Sequence, residues 1–254
     1  MRILILSDVH ANWPALQAID EPHDLCLFLG DAVDYGLEPG PCIDWLIHHA
    51  HYGVRGNHDH GVAQCVKIEG RSGYKHLTGV TRPINRARLT PCQRRYLADL
   101  PITRYLSLAN KTFLLVHATP RDPLDEYGPG EVEFWRRRLD GIQADVVCVG
   151  HTHHPFCLQV DGRLVINPGS VGLPRDGDPR GSYAVYEDGE VTLKRFDYPI
   201  EQTIARIEQS DLPSRSQQLL ADAFRFGQLH QPRLLPVGSA ATSVTSATNI
   251  GLGE

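Results

Sequence analysis

Met1-Arg2-Ile3-Leu4-Ile5-Leu6-Ser7-Asp8-Val9-His10 sets the pattern from which the fold is read. Its apolar run, Ile3 to Leu6, stops abruptly at Ser7-Asp8. That is too short for the apolar region of a secretory signal and fits a first β-strand. The same arrangement recurs at Leu25 to Leu29 before Asp31, Phe113 to Val116 before His117, and Val146 to Val149 before His151. Short apolar runs without alternation indicate strands buried on both faces, with helices packed over them, and so a layered α/β architecture.

Helix signals lie between these runs. Pro14 sits just inside Trp13 to Ile19; Cys42, Ile43, Leu46 and Ile47 follow Pro41 at helical spacing; Thr90-Pro91 opens a segment carrying Tyr96, Leu97 and Leu100. Glu131 to Leu139 reads as a further helix, and residues 60–105 as a helical excursion from the sheet. Beyond Asp197 the core pattern gives out. Ile200 to Ile207 and Ser216 to Phe226 are candidate helices of a C-terminal extension over 198–237. Residues 238–254, rich in Ser, Thr, Ala and Gly, read as a flexible tail.

A chain of 254 residues buries a full core, and single α/β domains of this size are ordinary. No apolar run approaches the roughly 18 residues that cross a bilayer, so no membrane span is expected. The six cysteines stand singly without a CxxC pair, which disfavours a disulfide framework and suits a reducing cytoplasm. A formal charge of −5 gives no general attraction for a nucleic-acid backbone, so nucleic-acid binding is not expected.

The polar residues that end the strand-like runs carry the chemistry. In sheets of this kind ligands gather beyond the carboxyl ends of the strands, so these segments converge on one site. In order they are Asp8-Val9-His10, Gly30-Asp31-Ala32-Val33-Asp34, Gly56-Asn57-His58-Asp59, Val116-His117-Ala118 and Gly150-His151-Thr152-His153. A lone Asp-x-His after a strand is more often a loop feature than a metal pair, but five such blocks in this order do not fall together by accident.

Together the blocks resemble the signatures of the calcineurin-like metallophosphoesterases, DxH, GDxxD, GNH[DE], a lone His and GHxH, over about residues 1–197. His117-Ala118 stands where His-Gly is commoner. His117 to Pro123, Asn167 to Gly172 and Arg175 to Arg180 further resemble the small bacterial branch of YfcE-type phosphodiesterases and diadenosine tetraphosphate hydrolase-like proteins. The resemblance implies a four-layer αββα sandwich of two mixed β-sheets flanked by helices. It also implies a hydrolase for phosphodiesters or nucleoside polyphosphates, acting on a small-molecule phosphate ester or nucleotide.

Hydrolysis of a phosphate ester requires charge neutralisation around phosphorus and a nucleophile at neutral pH, which two divalent cations about 3.5 to 4 Å apart supply. By resemblance Asp31 bridges them together with water or hydroxide. Asp8, His10 and His153 fall to the first metal, and Asn57, His117 and His151 to the second. Nitrogen and oxygen ligands without thiolate suit manganese, with iron, zinc, cobalt or nickel as alternatives. His58 is implied as the general acid for the leaving oxygen, with Asp34 orienting it and favouring its imidazolium.

Other readings stand beside these. Asp34 and Asp59 are residue types that also hold turns through backbone N–H groups. Asn167-Pro168-Gly169-Ser170 reads equally as a tight turn behind the site or as a substrate contact. Arg121, Arg175 and Arg180 are candidate clamps for a second phosphate, although Asp122, Asp176 and Asp178 are at hand to pair with them. Arg136-Arg137-Arg138 reads as a solvated helix face. The alternative functions are a protein Ser/Thr phosphatase and a non-catalytic scaffold on the same fold; the intact set of ligand types and His58 argue against the scaffold.

Overall fold

Ile3 to Leu6 lie in a strand whose side chains enter two different cores. Leu4 and Leu6 join Phe28, Leu46 and Leu97, whereas Ile3 and Ile5 join Leu27, Phe113, Leu115 and Ile166. This explains a run without polar alternation, since both faces are covered. The computed structural model describes residues 1–229, so the tail expected over 238–254, and the end of the extension over 198–237, lie outside the described residues.

The described residues form β1 (Arg2–Leu6), α1 (Trp13–Gln17), β2 (Leu25–Phe28), α2 (Pro39–His49), β3 (Tyr52–Gly53), α3 (Asn57–Ala63), α4 (Gly73–Arg88), α5 (Pro91–Asp99), β4 (Thr103–Leu108), β5 (Lys111–Val116) and α6 (Val132–Arg138). There follow β6 (Val146–Cys148), β7 (Phe156–Val160), β8 (Arg163–Asn167), β9 (Gly181–Glu187), β10 (Glu190–Phe196), α7 (Ile200–Glu208) and α8 (Ser214–Phe226). The expected helical excursion ends earlier than residue 105. From Thr103 the chain alternates exposed and half-buried side chains as strand β4, pairing along β5.

Two five-stranded sheets result, ordered β10-β9-β1-β2-β3 and β4-β5-β6-β8-β7. Both are mixed: β1, β2 and β3 run parallel, as do β5, β6 and β8, with antiparallel partners outside them. Ile5, Leu29, Phe113, Cys148 and Ala184 pack between the sheets. The outer face of the first sheet lies under α1, α2 and α5 through Leu16, Leu46 and Leu97. The outer face of the second lies under α6 through Trp135, whose indole donates to Pro129 O at 2.7 Å. This is the four-layer sandwich of two mixed sheets flanked by helices.

Local chemistry explains several helix starts. Asn12 Oδ1 accepts from Ala15 N at the head of α1, and Thr90 and Gln93 form a reciprocal capping box on α5 with Pro91 in its first turn. Helices α7 and α8 share a core with Tyr35, Leu37, Leu77 and Leu173, which ties the C-terminal segment to the loop after β2 and to α4. No helix among the described residues is long and apolar enough to cross a membrane.

Candidate metal centre

The carboxyl ends of β1, β2 and β3 lie side by side, and those of β5 and β6 face them from the second sheet. Asp8 and His10 follow β1, Asp31 and Asp34 follow β2, and Asn57 and His58 open α3 after β3. His117 follows β5, and His151 and His153 follow β6. Backbone bonds lock the loops together: Asp8 N donates to Gly30 O at 3.0 Å, His10 N to Asp31 O at 3.0 Å and Gly150 N to His117 O at 2.7 Å. Bonds also join the two sheets, among them His151 N to Asp8 Oδ2 at 3.1 Å.

Asp8, His10, Asp31, Asp34, His151 and His153 all adopt positive φ, between 50° and 69°. Such conformations are uncommon outside glycine and persist only where the surroundings over-determine them. Ala118 is not among the positive-φ residues, so alanine is accommodated where glycine is commoner. The motif glycines have a different cause. A Cβ on Gly30, itself at φ +98°, would come within 2.9 Å of His117 Nδ1, and one on Gly56 would strike the Asp31 carboxylate.

The side chains gather into two buried sets, Asp8, His10 and His153, and Asp31, His117 and His151, with the ligand atoms of each set within 4.8 Å of one another. In the first, His10 Nε2 and His153 Nε2 are 3.0 Å apart and His153 Nε2 is 3.2 Å from Asp8 Oδ1. In the second, His117 Nε2 is 3.2 Å from Asp31 Oδ2 and 3.2 Å from Asn57 Oδ1, which brings Asn57 to this set. The sets adjoin at Asp31, whose Oδ2 is also 4.0 Å from His10 Nε2.

These residues fit divalent cations. His10 Nδ1 donates to Val33 O, His117 Nδ1 to Leu29 O and His153 Nδ1 to Leu173 O, which aims the Nε2 of these three rings inward as a ligand atom. Asp8 Oδ1 and Asp31 Oδ2 are buried without a hydrogen-bond partner. Two facing imidazole nitrogens and two orphaned carboxylate oxygens require positive charge between them, and mixed N/O donors without thiolate suit a catalytic ion.

The charges respond to one another. Burial pushes the Asp8 and Asp31 carboxyls up, but the imidazoles around them outweigh it and hold both well below the usual range. Burial lowers His117, yet Asp31 beside it raises the ring to about 9. Burial, and then the charge of His117, bring His151 down to about 4.

His58 stands beside the two sets. Its Nδ1 is 2.8 Å from Asp34 Oδ2, and its Nε2 is 3.9 Å from Asp31 Oδ2. No motif marks Arg82, whose Nε and Nη2 both donate to Asp34 Oδ2, at 2.9 and 2.6 Å, from the buried face of α4. A Cβ on Gly61 would collide with this guanidinium. The detectable signal was spacing: Leu77, Thr78, Thr81, Arg82 and Asn85 form one buried helical stripe, an unusual place for an arginine without a partner.

Asp59 has the turn-holding role, accepting from Asp31 N, Ala32 N and Gly56 N at 2.7 to 3.0 Å. The Asn167–Ser170 segment is a buried brace: Asn167 Nδ2 donates to Gly150 O and Thr152 Oγ1, and Ser170 Oγ to Asp8 O. An open cleft of about 260 Å³ leads to the centre, lined by Asp31, Asn57, His58, His151 and His153 with Tyr35, Tyr74, Lys75, Asp125, Tyr127 and Arg175. The three candidate arginines therefore separate. Arg175 lines the cleft; Arg121 reaches Asp140 and Arg180 pairs with Asp178, and neither lines it. Arg136 and Arg138 are likewise paired, with Glu133 and Asp161 and with Glu126.

Paired Asp/His sets at the carboxyl ends of two facing mixed sheets define a metal-dependent phosphoesterase. Residues 1–190 match the calcineurin-like phosphoesterase superfamily domain, and the chain belongs to that superfamily. It is similar to a metallophosphoesterase of Sphaerobacter thermophilus, with a TM-score of 0.76 and 31% identity over 89% of this chain and 99% of that one. A hypothetical protein of Pyrococcus horikoshii shares the fold, with a TM-score of 0.76 and 20% identity over 86% and 97% of the two chains. Over 241 residues the sequence is 27% identical to an uncharacterized protein of Methanocaldococcus jannaschii, covering 83% of this chain and 93% of that one.

Proposed function

We propose that this chain hydrolyses phosphodiesters or nucleoside polyphosphates. In this reading Asp8, His10 and His153 hold one divalent cation, Asn57, His117 and His151 hold a second, and Asp31 is shared. Manganese is the ion we assign. When bound, the ions neutralise charge around phosphorus and make water nucleophilic at neutral pH.

The chain's own residues do the rest. His58 gives the proton from Nε2 to the leaving oxygen. Asp34 fixes the ring by accepting from Nδ1, and Arg82 fixes Asp34 through two hydrogen bonds to one carboxylate oxygen. The observation that carries the reading is this Arg82–Asp34–His58 chain standing beside two buried Asp/His sets at the floor of one cleft. Free cysteines at all six positions, three of them buried, support a reducing cytoplasmic setting. The net charge of −5 supports a small-molecule substrate over nucleic acid.

The test is turnover of bis-para-nitrophenyl phosphate, para-nitrophenyl phosphate, diadenosine tetraphosphate and a phosphopeptide by metal-stripped protein refilled with manganese. Hydrolysis of the diester or the dinucleotide is expected. Preference for the phosphopeptide, or no turnover of any of the four, would refute the proposal.

A further inference from the structure

Arg175 differs from the other arginines around the centre in its company. Among the described ion pairs none involves it, whereas Arg82, Arg121 and Arg180 each have an aspartate. Its guanidinium carbon lies 3.9 Å from the centre of the Tyr74 ring and 5.6 Å from that of Tyr35. Nη2 donates to Tyr35 Oη at 3.2 Å and Nη1 to Tyr127 Oη at 3.4 Å, while Nε is buried without a partner. Aromatic faces hold a planar cation in place without cancelling its charge. A guanidinium so held, half-buried in a cleft and lacking a carboxylate, is arranged for an anion from outside.

The position of Arg175 says which anion. Tyr35 Oη, its hydrogen-bond partner, is also 3.5 Å from His58 Nε2. One tyrosine oxygen is thus within reach of both the guanidinium and the nitrogen assigned as proton donor, which puts Arg175 on the side of the cleft where that assignment places the leaving group. An alcohol or phenol carries no charge there; a phosphate does. Lys75 lines the same cleft as a second cation, and Asp125, the acidic residue near its rim, presents its backbone carbonyl to His151 Nε2 at 3.2 Å. The Tyr127 ring, 59% exposed and 4.5 Å from the His151 ring, offers a face on which a base can stack.

We infer that the leaving group is itself a phosphate held by Arg175, so that the substrate is a nucleoside polyphosphate cleaved within its phosphate chain; this rests on the phosphoesterase reading above. Water oxygen joins the attacked phosphorus, and the bond from that phosphorus to the bridging oxygen breaks. The bridging oxygen departs with the electron pair and takes the proton of His58, and the proton released by the water restores His58. The products are two phosphate-terminated fragments, the departing one on Arg175.

Two measurements test this on the manganese-loaded full chain. In Arg175→Met the ratio of kcat/KM for diadenosine tetraphosphate to that for bis-para-nitrophenyl phosphate should fall ten- to hundredfold, the usual cost of losing a charge-assisted bond, with partial recovery in Arg175→Lys. In the unaltered protein, at fixed free metal, ADP should inhibit diester hydrolysis at least tenfold more tightly than AMP, and calorimetry should show the same order of binding. An unchanged ratio in Arg175→Met, or equal inhibition by ADP and AMP, overturns the inference while leaving the phosphoesterase reading intact. So does turnover of the diester without the dinucleotide. Turnover of neither substrate overturns both.

Discussion

The two sheets make unequal contributions to the centre. The first, through the loops after β1, β2 and β3, provides Asp8, Asp31, Asp34 and Asn57 along with His10 and His58. The second, through the loops after β5 and β6, provides imidazoles alone: His117, His151 and His153. Each buried set draws on both sheets, Asp8 and His10 with His153, and Asp31 with His117 and His151. The difference teaches that neither sheet is a cation site by itself. Carboxylates on one side and imidazole lone pairs on the other become a site only when the sheets are held in register, and a bound ion in turn holds them there.

Three perturbations sharpen this comparison. The largest is metal removal. A chelator should abolish turnover and lower the melting temperature by roughly 5 to 10 °C, as expected for an ion held at about a hundred times its dissociation constant in a domain of this size. The fold should survive, because the core between the sheets, from Ile5 to Phe113 and Ile166, does not depend on the ions. Calorimetry with and without chelator checks it; an unchanged melting temperature would mean the ions do not link the sheets.

A smaller effect is expected at Arg82, which holds the first sheet's Asp34 through Nε and Nη2 and reaches Val66 O through Nη1. Arg82→Met should lower kcat on the order of 10- to 100-fold, the usual cost of removing an outer hydrogen-bond partner, with metal content retained. The loss should be greater for a phenyl than for a para-nitrophenyl leaving group, since the poorer leaving group depends more on protonation by His58. Equal losses for both esters would make Arg82 a structural residue only.

The smallest is remote from the centre. Glu21 ties the first sheet together, accepting from Arg2, from Lys194 at 2.8 Å and from Tyr183 at 2.6 Å. Burial pushes its carboxyl up, but these three donors outweigh burial and hold it at about 2, below its ordinary 4.5. A lowered carboxyl contributes stability that is complete above about pH 4.5 and is lost as pH falls towards 2. Glu21→Gln should therefore cost roughly 2 to 3 kcal/mol at pH 7 and progressively less on acidification. Urea unfolding across that range measures it, and a difference independent of pH would contradict the assignment.

Much of this was legible in the sequence because ligand chemistry is local to strand ends. Ile3–Leu6 followed by Asp8 announces both a buried strand and what stands at its tip, and the five blocks name nine side chains that the fold gathers at the carboxyl ends of the two sheets. What was not legible depends on packing between distant segments. Arg82 meets Asp34 from 48 residues away, across a helix whose other arginines are exposed or bound to backbone carbonyls. The aromatic cradle of Arg175 is assembled from Tyr35, Tyr74 and Tyr127, residues with no shared spacing. Arg121, Arg175 and Arg180 looked alike in sequence because the aspartates near them do not reveal which guanidinium turns inward.

The most direct test of a cation centre shared by the two sheets, with His58 as its acid, is metal content per chain measured beside turnover in Asp31→Ala and His58→Ala after refilling with manganese. Asp31→Ala should lose both ions and all activity. His58→Ala should keep two ions, one for each buried set, and lose turnover by about 10²- to 10⁴-fold. Equal loss of metal in the two variants would contradict the division between the groups that hold the ions and the one that moves the proton.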